Sequence, residues 1–345
     1  MAKWSPVLAR DERDGELSAL SLGHPLVDAY LEFAGARARP NTWLAHAYDL
    51  KVFFSVVAKE PVEVKTSDVL AFIAEQRKPR YGHNVLRLED REPGLSARTI
   101  KRRLATVSGF YAYLLARGDT AVGANPVPRG LSTRPHGQRG ARPVPLLRTA
   151  RTLPRVHDPE EVNALVSALR TRRDRAMVEA MVLGGLRRCE VLGLTLGDLR
   201  PGERRVLIAN GKGGHQRIVP MSARFFASLA AYLELERPPG CVSETVFVVL
   251  KGPNRGRPLS ERGLDEVMKG ARKRAGLGHL TCHELRHTCL TRLRESGMSL
   301  EALQAQAGHR SIESTRMYLH LSNDWLSAEY LRAIDMVEAL IEAEV

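Results

Sequence analysis

The stretch Gly308-His309-Arg310-Ser311-Ile312-Glu313-Ser314-Thr315-Arg316-Met317-Tyr318 decides how this chain is read. A tyrosine on an amphipathic helix is ordinary packing when it stands alone. Here a Gly-His pair precedes it, and four more residues upstream suit a tyrosine aimed at a phosphate. With His309 they are Arg187, Lys212, His283 and Arg286.

Cleaving a phosphodiester with a protein nucleophile has three needs. They are an attacking oxygen, cations on the non-bridging oxygens, and a proton for the leaving oxygen. Arginine meets the second, because its planar fork grips two oxygens and stays charged at any working pH. Two arginines on separate elements, Arg187 and Arg286, can hold the oxygens of a crowded transition state. Lys212 sits in the glycine-rich turn Asn210-Gly-Lys-Gly-Gly214, where a flexible ammonium can act as general acid. His283 and Arg286 share a helical face with His287, and Thr281 can cap that helix. Imidazole can take or share a tyrosine proton near neutral pH. His309, near a junction of two helices, can donate a hydrogen bond to a phosphate.

Composition agrees with a polyanionic partner. The 345 residues carry 52 Lys and Arg against 39 Asp and Glu, a formal charge of +13, which points to nucleic acid before membrane. Four cysteines without CxxC spacing read as reduced structural thiols. Residues 1–16 are charged and lack the apolar centre of a secretory signal. No run reaches the ~18 consecutive apolar residues of a membrane span, so a soluble, cytoplasmic protein is expected.

Taken in order, residues 1–23 read as a polar lead, and 24–124 as an all-helical module. Pro25 opens one helix, Asn41 caps a second and Thr66-Ser67 a third. Ser96 opens a long fourth that Gly118 closes. That fourth helix begins with Arg98, Lys101, Arg102 and Arg103, a solvated charged face or a set of phosphate contacts. Residues 125–155 mix proline, glycine and arginine without periodicity and read as an inter-domain linker. The second half, 156–323, is mixed. Helices follow Asp158-Pro159 and run from about 174 to 183, and a third carries Arg187 near its start. Arg205–Ala209 and Gln216–Pro220 alternate like the strands of a hairpin, and Val246–Leu250 is a strand or a short apolar run. Helices are expected at about 260–275, 281–296, 299–307, 311–321 and 324–343. The fold class expected is mainly α with a small β-hairpin sheet in the second of two domains.

Four boxes carry a family resemblance. Gly185-Leu-Arg-Arg-Cys-Glu-Val-Leu-Gly-Leu194 resembles the first arginine box of the tyrosine recombinase (phage integrase) family. Asn210-Gly-Lys-Gly-Gly-His-Gln-Arg-Ile-Val-Pro220 is similar to its lysine hairpin, and His283-Glu-Leu-Arg-His287 to its His-x-x-Arg box. Gly308-His309 with Tyr318 is similar to its last histidine and nucleophile. The resemblance implies a helical core DNA-binding domain followed by an α+β catalytic domain. It implies attack of Tyr318 on a DNA phosphate, leaving a 3′-phosphotyrosyl link and a free 5′-hydroxyl. Arg187, Arg286 and His309 would stabilise the transition state, with Lys212 protonating the leaving oxygen and His283 helping Tyr318 lose its proton. It further implies Holliday-junction exchange between double-stranded DNA sites by a homotetramer, with neither metal nor ATP. An accessory or partner recombinase is compatible with this picture. The amphipathic stretch 324–345 would pack in cis or dock on a neighbouring subunit.

Two positions depart from the family pattern, Ala307 for a common leucine and His215 for a frequent lysine. Local packing effects are expected there. Three other readings stay open. His283-Glu-Leu-Arg-His287 also spells the zinc-protease motif H-E-x-x-H, although no metzincin-type extension supplies a third ligand. A non-catalytic DNA-binding regulator and a DNA-relaxing enzyme of type IB topoisomerase kind would share the fold or the tyrosine chemistry. Within the family, a mobile-element integrase or transposase is the preferred role.

Overall fold

In the computed structural model the chain divides into two compact units, Met1–Arg151 and Thr152–Val345. The structure describes residues 4–13, 16–79, 94–130, 145–148, 155–209, 216–309 and 315. Lys212 and Tyr318, and the helices expected at 311–321 and 324–343 apart from Thr315, lie outside them.

The first unit is built on four helices, α1 (Pro25–Gly35), α2 (Pro40–Val57), α3 (Thr66–Arg77) and α4 (Ala97–Arg117). Ser96 starts α4 as its sequence suggests, its hydroxyl accepting from the Thr99 N–H at 3.2 Å. Gly118 ends it at φ +72°, where a residue with a Cβ would be strained. Asn41 is not the cap of α2. Arg39 takes that position and Pro40 is the first helical residue, because proline's fixed φ and missing N–H suit that place. The third helix likewise begins one residue early, after Lys65, whose N–H donates to the Asp68 carboxylate at 2.9 Å.

The core of this unit is aromatic. Phe53, Phe54, Phe72, Phe110 and Tyr111 are almost wholly buried and meet mainly edge to face. Burying each such ring contributes about 1.5–3 kcal/mol, with edge-to-face contacts adding roughly 0.5–1.5 kcal/mol per pair.

The stretch read as a polar lead has structure of its own, ahead of the helical module. It forms an antiparallel hairpin, β1 (Ala9–Arg13) with β2 (Glu16–Ser21), carrying an irregularity at Asp11/Glu12. Leu20 and Leu22 drop into the helical core, and the Trp4 indole donates to the Leu22 carbonyl at 3.1 Å while packing on Phe54.

The second unit holds α5 (Pro159–Ser167), α6 (Arg172–Val182), α7 (Arg188–Leu192), α8 (Ala223–Leu235), α9 (Glu261–Ala275), α10 (Cys282–Glu295) and α11 (Leu300–Ala307). A three-stranded antiparallel sheet joins β3 (Leu199–Arg200), β4 (Arg205–Ile208) and β5 (Arg217–Pro220) in that order. The hairpin β4–β5 pairs Arg205 with Pro220 and Ile208 with Arg217, as the alternation predicts. Val246–Leu250 makes only an isolated bridge, Val248 to Pro258. Its backbone is held by Tyr232, which donates to the Val246 carbonyl at 3.0 Å and accepts from the Val248 N–H at 3.2 Å. α8 has no counterpart in the sequence reading, although Phe225, Leu229 and Tyr232 form its buried face.

Three short elements set up the site. α6 ends in Gly184-Gly185, with Gly185 at φ +66°. α11 ends in Gly308 at φ +60°. α7 opens immediately after Arg187. Helix ends present unpaired carbonyls and N–H groups, and these can orient charged side chains.

Candidate active site

Arg187 stands at the N-cap of α7 and turns back onto its own first turn. Its backbone N–H donates to Glu190 Oε2 at 2.9 Å and its Nη1 donates to Oε1 at 2.7 Å. Nη2 reaches across to the Gly308 carbonyl at 3.2 Å. The Glu190 side chain is wholly enclosed. Arg217, on β5, closes on the same carboxylate with a two-pronged fork, Nη1 to Oε1 and Nη2 to Oε2, both at 2.9 Å.

Arg286 approaches from α10. It is 3% exposed, so its charge is fully committed to the interior. Its Nη1 donates to the Gly185 carbonyl and lies 4.0 Å from Glu190 Oε2. Its Nη2 donates to the Ala307 carbonyl at 2.6 Å and faces His309 Nε2 at 3.2 Å. Three guanidinium groups from three elements therefore meet one carboxylate, leaving positive charge in excess among these four side chains. Burial alone would raise the Glu190 carboxyl, but the bonds from Arg217 and Arg187 outweigh it and hold it down at about 2. An excess of buried cations is costly without an anion, and a phosphodiester is an anion of suitable shape for paired arginines.

The histidines are tuned toward the neutral form. Burial first, then Arg286 and Arg187, lowers His309 to about 4. Arginine can only donate, so His309 Nε2 accepts from Arg286, and its Nδ1–H donates to Thr315 Oγ1 at 3.0 Å. In this geometry His309 holds Arg286 in place. His283 keeps one edge open to solvent at the start of α10 while its ring packs inward, its Nε2 sharing a hydrogen bond with His287 Nε2 at 3.0 Å. Burial and the same two arginines lower His283, and burial, His283 and Arg286 bring His287 to about 4. Among the described residues no group of three His, Cys, Asp or Glu is placed to hold a metal ion.

Arg187, His283 and Arg286 line one cleft of about 700 Å³, together with Arg188, Cys189 and Arg272. The neighbours Arg187 and Arg188 divide their work. Arg188, on the same cleft, is held by Asp265 at 2.9 Å and Glu261 at 2.6 Å instead of by Glu190.

The structure thus brings together four sequence-selected residues, Arg187, His283, Arg286 and His309. It adds Glu190, Arg217, Gln306 and Thr315, which the motifs did not single out. Glu190 had a local signal, since Arg-x-x-Glu across a helix start is a capping arrangement. Arg217 had none, because its partner lies far away in sequence.

In the first unit the basic run of α4 is split by its helix. Arg98, Lys101 and Arg102 are exposed, while Arg103 turns inward. Buried Asp49 receives Arg102 Nη1 and the Thr106 hydroxyl, the latter at 3.0 Å, with Arg103 Nε at 3.8 Å. Arg103 Nη1 also donates to the Gln76 side chain. Here burial prevails and raises the Asp49 carboxyl above its usual range, against the opposing pull of Arg102, Thr106 and Arg103.

Comparison with known proteins agrees with this architecture. Residues 155–324 match the phage integrase family, and residues 27–118 match the phage integrase N-terminal SAM-like domain. Tyrosine recombinase XerD of Listeria monocytogenes is 30% identical over 297 residues, covering 82% of this chain and 88% of that protein. Tyrosine recombinase XerC of Xylella fastidiosa is 34% identical over 245 residues, covering 69% and 74%. Among solved structures, the Tn1549 transposon integrase with a circular intermediate DNA superposes with a TM-score of 0.64. The identity is 19%, over 89% of this chain and 98% of that one. The XerH recombinase bound to a palindromic difH substrate gives 0.62 at 20% identity, over 88% and 83%.

The two-domain recombinase fold, mainly helical with small antiparallel sheets, is therefore the fold of this protein. The chain belongs to the tyrosine recombinase (phage integrase) family and is a tyrosine-type site-specific recombinase. None of its described helices is long and apolar enough to cross a membrane.

Proposed function

We propose that this enzyme cuts and rejoins double-stranded DNA at specific sites, with Tyr318 as nucleophile. One observation carries the reading. Arg187 and Arg286 converge from separate helices on one buried carboxylate and line a single cleft with His283.

The Tyr318 oxygen attacks the phosphorus and the bond to the 5′-oxygen breaks. A 3′-phosphotyrosyl link replaces the phosphodiester, and a 5′-hydroxyl leaves. His283, held toward its neutral form, accepts the tyrosine proton, and Lys212 supplies one to the leaving oxygen. Arg187 and Arg286 hold the non-bridging oxygens, where charge builds in the transition state. His309 keeps Arg286 oriented, and as the arginine turns to the phosphate the Nε2–H tautomer, with Nδ1 accepting from the Thr315 hydroxyl, donates a further hydrogen bond. A 5′-hydroxyl of a partner strand then reverses the attack. Bond energy is kept in the covalent link, so no step calls on ATP or a metal.

The domain reading follows the same logic. Residues 24–124 form the core DNA-binding domain, joined by the linker 125–155 to the catalytic domain 156–323. Arg98, Lys101 and Arg102 contact phosphates, while Arg103 braces the helix that presents them. The stretch 324–345 docks on a neighbouring subunit. The working assembly is a homotetramer on two duplexes in the cytoplasm, serving a mobile element as integrase or transposase, with room for an accessory protein. The Tn1549 integrase and XerH, whose fold this chain shares, are bound to DNA, which supports a DNA partner here.

The test is to express the chain in cells carrying its native flanking DNA, stop with detergent and sequence DNA attached to the protein. Adducts that vanish in Tyr318→Phe are expected. DNA binding without adducts in the unsubstituted chain would mark a non-catalytic regulator.

A further inference from the structure

Arg217 serves none of the chemical roles assigned above, yet its side chain ties several parts of the site together. It is the first residue of β5 and pairs across the hairpin with Ile208. It follows Lys212 closely in the chain. Its Nη1 and Nη2 occupy both oxygens of Glu190 at 2.9 Å. Its Nε donates to the Gln306 carbonyl at 3.3 Å. Its guanidinium lies flat against Gly308, so close that a Cβ there would stand 2.8 Å from Arg217 Cζ. Gly308 in turn gives its carbonyl to Arg187 and precedes His309.

We infer that Arg217 is the positioning residue that locks the lysine-bearing hairpin to the phosphate-binding arginines and to the α11 end that carries His309. The inference rests on the proposal that Arg187, Arg286 and His309 serve the scissile phosphate.

The role of Arg217 has two parts. Glu190 is a buried anion and will draw in whatever cations it can reach. With Arg217 in place both of its oxygens already carry a charge-assisted bond, so Arg286 can remain 4.0 Å away. Without Arg217 the carboxylate draws Arg286 onto itself and away from a phosphate. The second part is shape. Three N–H groups in one plane reach Glu190 and Gln306 together, which a lysine ammonium cannot do. The flat group also fits beneath Gly308, whose missing side chain makes the approach possible. A further tie is Gln306, whose amide donates to the Gly184 carbonyl at 2.9 Å and the Pro220 carbonyl at 3.3 Å. β5, the α6 end and the α11 end are thus linked at one point.

The experiment compares the full chain with Arg217→Lys and Arg217→Ala. Thermal unfolding and DNA affinity are measured beside single-turnover cleavage, on a nicked duplex carrying the site recovered from the covalent adducts. Histidine-labelled protein is titrated by NMR to follow His309, whose depression includes a contribution from Arg217. Arg217→Ala is expected to slow cleavage about a hundredfold while DNA affinity changes less than about threefold. His309 should then titrate at higher pH. Arg217→Lys should restore unfolding and the His309 titration but leave cleavage slow. Wild-type cleavage by Arg217→Ala, or full rescue by lysine, would overturn the inference. So would losses of rate and affinity that merely track unfolding. If the unsubstituted chain gives no Tyr318 adduct, the proposed chemistry fails on its own. The titration then decides, because an unmoved His309 in Arg217→Ala would remove Arg217 from this role.

Discussion

Two buried carboxylates, Glu190 in the catalytic unit and Asp49 in the N-terminal unit, sit among arginines and come to opposite ends. Glu190 has a bidentate partner in Arg217, a second donor in Arg187 and a backbone N–H at 2.9 Å. These bonds overcome the cost of burial, and the group stays ionised down to about pH 2. Asp49 is equally enclosed but receives fewer close donors. Arg102 is half in solvent, and Arg103 Nε stands 3.8 Å off. Burial prevails there, and the carboxyl rises. The same residue types thus make a fixed electrostatic anchor in one place and a softer brace for a basic surface in the other. Geometry and the count of close donors decide between them.

The largest effect expected on this contrast is from Glu190→Gln. It leaves buried cations without their carboxylate, which should cost about 3–5 kcal/mol of catalytic-unit stability. Unfolding by denaturant, followed with a probe in each unit, would measure it, and a loss confined to the N-terminal unit would break the comparison.

Acid should separate the two groups next. Glu190 has a folded value below its ordinary 4.5, so its contribution is present above that pH and lost as pH falls toward about 2. The gap corresponds to about 3 kcal/mol. Asp49 has a folded value above its ordinary one, so its contribution has the opposite sign: it weakens folding as pH rises through the carboxylate range and not as pH falls. Measured between about pH 6 and pH 3, the unsubstituted chain should therefore gain stability relative to Asp49→Asn on acidification, as the buried carboxyl takes up its proton. The acid-sensitive share of the pair should disappear in Glu190→Gln.

The smallest effect is that of Asp49→Asn itself near neutral pH. A neutral amide can still accept from Thr106, so a cost of about 1 kcal/mol is expected. DNA affinity should fall a few-fold as Arg102 and Arg103 lose their brace, and cleavage of bound DNA should be unchanged.

Much of this molecule was legible from its residues. Ser96 and Gly118 marked α4, Asp158-Pro159 marked α5, and Arg205 to Pro220 marked the hairpin, because caps and alternation are local signals. Arg187, His283, Arg286 and His309 could be selected because phosphate chemistry needs few residue types. What escaped was non-local or ambiguous. β1 is Ala-Arg-Asp-Glu-Arg, exposed throughout, so no alternation marks it as a strand. α8 runs Phe225, Phe226, Leu229, Ala230, Ala231, Tyr232, Leu233, a dense apolar string in which period 3.6 is blurred. Arg217 reads as a strand arginine until the fold brings Glu190 and Gly308 to it.

The most direct test of the account compares Arg286→Ala with Arg102→Ala on one duplex carrying the recovered site, measuring binding and single-turnover cleavage for both. Arg286→Ala should lower the cleavage rate of bound DNA by about a hundred- to a thousandfold and leave affinity nearly intact. Arg102→Ala should weaken affinity and leave the rate of bound DNA unchanged. Equal losses of rate and affinity in Arg286→Ala would contradict the account and make Arg286 one more phosphate contact.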